Sequence, residues 1–354
     1  MMSSQHKVYI PDTAKDNQYI LAEIQLSQAF YAAYPDELSC YQQLSQQFFR
    51  LADQAGLRNV HFIANDKLPV VRFHSEAFCF QTSDQILFFY NPAYHEAQNS
   101  YFDDQYRSRK ISLLCLATGT DIRAEAAQFH RTVRQVLQDF KALLPLADVP
   151  VKIRDHQHLS YDLFAKAKGC NNSYGYKLRS LAARYLARDT VLPAEHHAMT
   201  YAAVTLPLNR QLKQRLQPVQ QGDYRQLYQS LQQLLVDVTA PLDLNRLAFI
   251  ADGTTPLVRS SLVEKSRRSK ELHMLNFDLT SPRPQLSSHW QAEQLVESAH
   301  LLMVAGQDDM AELGYGRFMN RVEQSMKQLS QQLGLETTNT DLMIRFHQHI
   351  SYQL

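Results

Sequence analysis

The segment "RDHQHLSYDL" (Arg154 to Leu163) returns as "RFHQHISYQL" (Arg345 to Leu354), 191 residues later. Self-similarity at a fixed separation is the signature of a unit written more than once. Here the match extends backwards from the histidines. "FIANDKLPVVR" (Phe62 to Arg72) pairs with "FIADGTTPLVR" (Phe249 to Arg259) at 187 residues, and "LLCLA" (Leu113 to Ala117) with "LLMVA" (Leu301 to Ala305) at 188. Earlier still, "YQQLSQQF" from Tyr41 and "YRQLYQSL" from Tyr224 stand 183 apart. The offset grows steadily, as small insertions in loops produce.

Phe129, Val133, Leu137, Phe140 and Leu144 match Phe318, Val322, Met326, Leu329 and Leu333, a spacing that predicts an amphipathic helix in each half. Tyr19 to Leu26 and Thr200 to Leu208 read as strands, each followed by the Tyr41 or Tyr224 helix. The order in each half is β-α-β-β-α-β. The expected fold class is therefore α+β, with two tandem duplicated ferredoxin-like (βαββαβ-type) lobes related by pseudo-two-fold symmetry. Helices would cover one face of each mixed sheet and leave the other open for a ligand. The expected segments are a first repeat at 17–163, a basic linker at 164–198 and a second repeat at 199–354. At 354 residues the chain can bury two cores.

Alternate residues of a strand point to opposite faces. Arg154, His156, His158 and Ser160 thus share one side, and Arg345, His347, His349 and Ser351 do the same in the second copy. Ile153, Asp155, Gln157, Leu159 and Tyr161 fall on the core side, opposite the polar set. Seven of the nine positions from Ile153 to Tyr161 are identical in the second copy. Packing requires only apolarity and size, so an arginine, two histidines and a serine kept twice point to a specific role: bonding across the sheet, or chemistry.

Three chemistries fit. His158-Leu159-Ser160-Tyr161 and His349-Ile350-Ser351-Tyr352 resemble the H-hydrophobic-[Ser/Thr]-hydrophobic motif of the two-histidine (2H) phosphoesterases. The resemblance implies a metal-independent phosphodiesterase acting on RNA or a cyclic phosphodiester. His158 and His349 would serve as general acid and base, with Ser160 and Ser351 donating to phosphate oxygens. Arg154, Arg345, His156, His347, Arg72 and Arg259 would then be ligand-binding residues, and neither a metal nor another cofactor is implied. A second reading takes His156, His158, His347 and His349 as ligands of Zn²⁺ or another transition metal, because H-x-H on a strand sends both rings from one face. The third is a noncatalytic module that binds RNA, a nucleotide or a protein.

Weaker signals accompany these. Between the repeats, Lys166, Lys168, Lys177, Arg179, Arg184 and Arg188 face only Asp189, with Tyr174, Tyr176 and Tyr185 among them. This is a solvated linker helix or a segment that contacts phosphates and stacks bases. "NDKLP" and "DGTTP" read as turns, which makes Asp66 and Asp252 turn residues rather than catalytic acids. "GYGRF" (Gly314 to Phe318) reads as a turn opening a helix.

Net charge is +1, which demands no polyanionic partner. The four cysteines are scattered and form no C-x-x-C, so a reduced, cytoplasmic setting is expected. No apolar run approaches the ~20 residues of a membrane span, and no membrane partner is expected. "FHSEAFCFQTSDQILFFYNPAYHEAQ" and "KAKGCNNSYGYKLRS" resemble an uncharacterised bacterial domain-of-unknown-function family, a resemblance that implies no activity.

Overall fold

Strands of β-branched and aromatic residues alternate with amphipathic helices in the computed structural model. It describes residues 8–11, 15–34, 37–73, 76–91, 97–103, 106–144, 149–164, 176–179, 192, 194–208, 212, 223–261, 265–268, 270, 272–335 and 342–354. The chain begins with β1 (Val8–Pro11), β2 (Lys15–Gln25), α1 (Gln28–Ala33), α2 (Glu37–Gln54) and β3 (Asn59–Ala64). Short strands β4 (Leu68–Phe73), β5 (Phe78–Gln81), β6 (Gln85–Tyr90) and β7 (Ala97–Phe102) precede β8 (Lys110–Thr118), α3 (Gly119–Leu143) and β9 (Val151–Asp162). Then come β10 (Tyr176–Arg179), β11 (His196–Pro207), α4 (Arg225–Thr239), β12 (Arg246–Ala251), β13 (Thr255–Ser261) and β14 (Lys265–Arg268). The rest is β15 (Leu272–Asp278), β16 (Gln285–Trp290), β17 (Ser298–Gly306), α5 (Gln307–Leu313), α6 (Tyr315–Leu333) and β18 (Met343–Gln353). The fold is mixed α+β.

Two compact units divide these elements. The first holds Asp16–Gln157, Ala183–His197 and His349–Leu354; the second holds Met1–Lys15, His158–Ala182 and Ala198–Gln348. The division falls inside β9 and inside β18, so each histidine strand supplies residues to both units.

In the first unit the main-sheet order is β18-β9-β2-β8-β3-β7. β2 and β3 both run antiparallel to β8, with Phe62 opposite Leu113, while β7 adds a parallel edge beside β3. The helices lie on one face. Val133, Leu137 and Phe140 of α3 are buried, as their spacing predicts, and Phe140 meets Phe48 of α2 edge to face at 5.7 Å. Each phenyl ring so buried contributes roughly 2–3 kcal/mol.

The second unit has the order β9-β18-β11-β17-β12-β16. Phe249 of β12 stands opposite Leu301 of β17, and β16 runs parallel to β12 at the edge. Phe318, Val322, Met326, Leu329 and Leu333 are buried along α6. That helix stops at Gly334, whose left-handed φ of 61° lets its N–H return to the Gln331 carbonyl. Gly314 ends α5 and precedes α6, so "GYGRF" is the turn between two helices.

Two expectations need correction. The sheet faces opposite the helices are not open: each is partly covered by a small three-stranded sheet, β4-β6-β5 in the first unit and β13-β15-β14 in the second. Leu21, Leu114 and Ile63 pack there against Ile86 and Phe88, and Tyr201, Leu302 and Ile250 against Val258, Leu275 and Phe277. Short apolar runs that carry no clear period build this layer. Residues 176–179 of the expected linker helix form β10, paired antiparallel with β1, while the flanking Lys166, Lys168, Tyr174, Arg184, Tyr185, Arg188 and Asp189 lie outside the described residues. Among the described residues no helix is long and apolar enough to cross a membrane.

Candidate functional site

The strand alternation places the polar set on the small-sheet side and Asp155 on the helix side. In the first unit His156 is buried between two rings. Tyr19 of β2 stacks on it at 4.4 Å with planes 15° apart, and His349 of β18 meets it edge to face at 4.0 Å. Nδ1 of His156 lies 3.3 Å from Nε2 of His349. Two residues back on the same face, Arg154 reaches the buried Glu23 carboxylate at 2.8 Å, and Lys110 holds its other oxygen at 2.7 Å.

The second unit repeats the rings and changes the charge. Tyr201 of β11 stacks on His347 at 4.4 Å, with planes 11° apart, and His158 lies beside His347 at 4.7 Å. Four residues beyond each stacking tyrosine comes the difference: Glu23 after Tyr19, Thr205 after Tyr201. Arg345 therefore donates to a hydroxyl, Thr205 Oγ1 at 2.7 Å, with His300 Nδ1 3.4 Å beyond it. Burial lowers the Arg345 pKa, opposed by Tyr201. No carboxylate partners Arg345 among the described residues. A largely desolvated cation without a counter-ion is costly, and an anion would remove much of that cost.

His158 and His349 belong to different units, each touching a histidine of its own unit. Ser160 is buried, whereas Ser351 is partly exposed. Arg72 and Arg259 stand next to Val71 and Val258, which face the main sheets, so alternation turns both arginines to the far side of the small sheets. Asp66 has a positive φ of 58° and accepts from Ser108, Arg109 and Tyr106, so it anchors the turn read from its sequence. No group of three or more His, Cys, Asp or Glu side chains gathers for a metal ion among the described residues.

Tyr19, Tyr201, Glu23, Thr205 and His300 escape a strand-by-strand reading. The two tyrosines carry a faint signal, since both lie in sequence segments that match between the two halves of the chain. Asp155, a carboxylate at a core position, announces a hidden partner. That partner is His130 of α3, with Nδ1 2.7 Å from Asp155 Oδ2, while Gln18 donates to both carboxylate oxygens.

Residues 39–352 match a family described as protein of unknown function, DUF3083. No curated protein matches the chain in sequence. Among solved structures, aldoxime dehydratase is similar at a TM-score of 0.26 and 7% identity, over 98% of this chain and 87% of that one. A likeness that slight carries no argument about activity.

Proposed function

Because the chain belongs to the DUF3083 family of proteins of unknown function, we propose a function from its own geometry: it binds a phosphate-containing ligand at the histidine strand of the second unit. The observation that carries this reading is Arg345, largely desolvated and partnered by the Thr205 hydroxyl instead of a carboxylate. A phosphate oxygen supplies the missing charge through charge-assisted hydrogen bonds, and His347 shares the face of Arg345. Nucleotides, RNA ends and cyclic phosphodiesters are the ligand classes this chemistry accepts.

The narrower form of the proposal is cleavage of a phosphodiester. There His158 and His349 act as acid and base, aided by Ser160 and Ser351, with Arg154, His156, Arg72 and Arg259 as further ligand contacts. The ring pairs His156–His349 and His158–His347 favour binding as the primary function, since each catalytic candidate already packs against another histidine.

The duplication belongs to the same proposal. Strand orders β9-β2-β8-β3 and β18-β11-β17-β12 support two ferredoxin-like copies, drawn from segments 17–163 and 199–354 with 164–198 between them.

Calorimetric titration with inorganic phosphate and with a 2′,3′-cyclic nucleotide tests the reading. Arg345→Ala is expected to weaken binding about 10-fold or more, the scale of a hydrogen bond to a charged group. No binding, or binding indifferent to Arg345, overturns it. Turnover of the cyclic nucleotide that is lost in both His158→Ala and His349→Ala would establish the catalytic form.

A further inference from the structure

A different set of polar residues meets in the second unit, at the edge of its small sheet. β14 is the edge strand and pairs antiparallel with β15, with Ser266 opposite Leu275 and Arg268 opposite His273. Ser266 and His273 are thus diagonal neighbours on one face, a separation that side chains can span. Ser266 Oγ lies 2.5 Å from His273 Nε2. On the other side of the ring, His273 Nδ1 lies 2.9 Å from Asp252 Oδ2.

The carboxylate is itself held in place. Asp252 follows β12 in a turn where Gly253 takes a left-handed φ of 78°. Its Oδ1 accepts from the Thr254 hydroxyl at 2.6 Å and from the Thr254 N–H at 3.0 Å, while Oδ2 faces the imidazole, with Arg268 Nε 3.5 Å away. Burial pushes the Asp252 carboxyl up, but hydrogen bonds from Thr254 and then His273 outweigh it and keep the group ionised. With Nδ1–H donating to that carboxylate, Nε2 carries the lone pair that accepts the Ser266 O–H. His273 and Asp252 are buried while Ser266 is exposed, so the base is fixed and the hydroxyl can be reached. His289 packs against His273 at 4.1 Å. Its pKa is lowered by burial and then by His273, against the Asp252 charge.

The small sheet does not need these residues. In the first unit Pro69 pairs with Ile86 as Pro256 pairs with His273, and Cys79 stands opposite Phe88 as Ser266 stands opposite Leu275. Ile86 fills its slot fully buried. A buried histidine in such a slot is costly unless its ring nitrogens are satisfied, and here they are satisfied by a carboxylate and a hydroxyl in line.

We propose that Ser266, His273 and Asp252 form a nucleophilic serine site, separate from the histidine strands, that hydrolyses small carboxylic esters. Ser266 Oγ bonds to the acyl carbon as its proton passes to His273 Nε2, and the carbonyl electron pair moves to oxygen. Arg268, two residues along the same strand and on the same face, donates to the Asp252 carbonyl at 3.1 Å and lies 3.5 Å from its Oδ2; it fixes the carboxylate and brings positive charge to the side of the site where that oxygen develops. The pair returns, the ester C–O bond breaks, and the alcohol leaves with the proton from His273. Water then attacks the acyl-serine and gives its proton to His273, and the Ser266 oxygen departs and recovers it. An ester and water become an acid and an alcohol.

The test uses the full chain and a fluorophosphonate, with adducts mapped by peptide mass spectrometry. Ser266 is expected to label about 100-fold or more faster than the exposed Ser83 of the same molecule, the low end of general-base assistance. His273→Gln is expected to reduce that ratio towards one, and Ser266→Ala to abolish both the adduct and a stoichiometric burst with p-nitrophenyl acetate. Should His273→Gln fail to fold, the ratio in the unaltered protein still decides. Equal labelling of Ser266 and Ser83, or no adduct on Ser266, overturns the proposal and leaves the three residues as a strand clasp.

Discussion

His156 and His349 stand 193 residues apart in sequence, yet Nδ1 of one lies 3.3 Å from Nε2 of the other within the first unit. Their rings meet edge to face, and Tyr19 closes the far side of His156. A double-mutant cycle of His156→Ala and His349→Ala is expected to give a coupling of about 1 kcal/mol, the scale of one hydrogen bond with aromatic contact. Denaturant titration of the four proteins measures it, and a coupling near zero would mean the rings do not meet.

Glu23 is what distinguishes the arginine of the first unit from that of the second. Its single carboxylate pairs with both Arg154 and Lys110, whereas Thr205 offers Arg345 a hydroxyl and no negative charge. Glu23→Thr should therefore convert the first unit to the chemistry of the second. Calorimetry is expected to show phosphate stoichiometry rising from one to two per chain, while an unchanged stoichiometry would mean the arginine alone does not make the site.

His61 gives the fold a pH dependence. It is buried on β3 against Phe88 and Tyr101, and burial lowers its pKa from 6.5 to about 4. The folded state then binds fewer protons than the unfolded one between those values. Stability is fully present above about pH 6.5, falls as pH drops towards about 4, and levels off below, a loss of order 3 kcal/mol. His61→Phe is expected to remove that component from urea midpoints measured at pH 7 and pH 4.5.

Asp155 and His130 form a buried pair on the helix side. Removing His130 leaves the buried Asp155 carboxylate with the Gln18 amide alone, so His130→Ala is expected to cost about 3 kcal/mol. Phe346 and Met319 match Asp155 and His130 when the two halves of the sequence are aligned, and both are fully buried. The double substitution His130→Met with Asp155→Phe should therefore be more stable than His130→Ala in thermal denaturation, despite changing more of the core.

The long helices are legible because burial on one face imposes a period of 3.6, and Val133, Leu137 and Phe140 obey it. The face of the histidine strand is legible for the same reason, with a period of two. The small sheets are not, since β4 and β6 are short apolar runs whose partners are set by pairing alone. Tyr19 and Tyr201 could be seen as a matched pair, but no strand's own pattern says which residue of a neighbouring strand it will meet. Ser266, His273 and Asp252 come from an edge strand, a central strand and a turn, and only the register of β14 on β15 joins them. Asp252 read alone is a turn residue, and it is one; its second carboxylate oxygen was free for another task.

The division of β9 and β18 between the units also has a consequence in time. The first unit takes its outermost strand segment, His349–Leu354, from far downstream of Asp16–Gln157. At about 5–20 residues per second, a ribosome needs about 10 to 40 s to travel the distance from His156 to His349. Throughout that interval the nascent first unit presents β9 as a bare sheet edge, its backbone donors and acceptors open to any passing strand. The first unit is therefore completed only once the His349–Leu354 segment has been made, and the wait is when it most needs a chaperone.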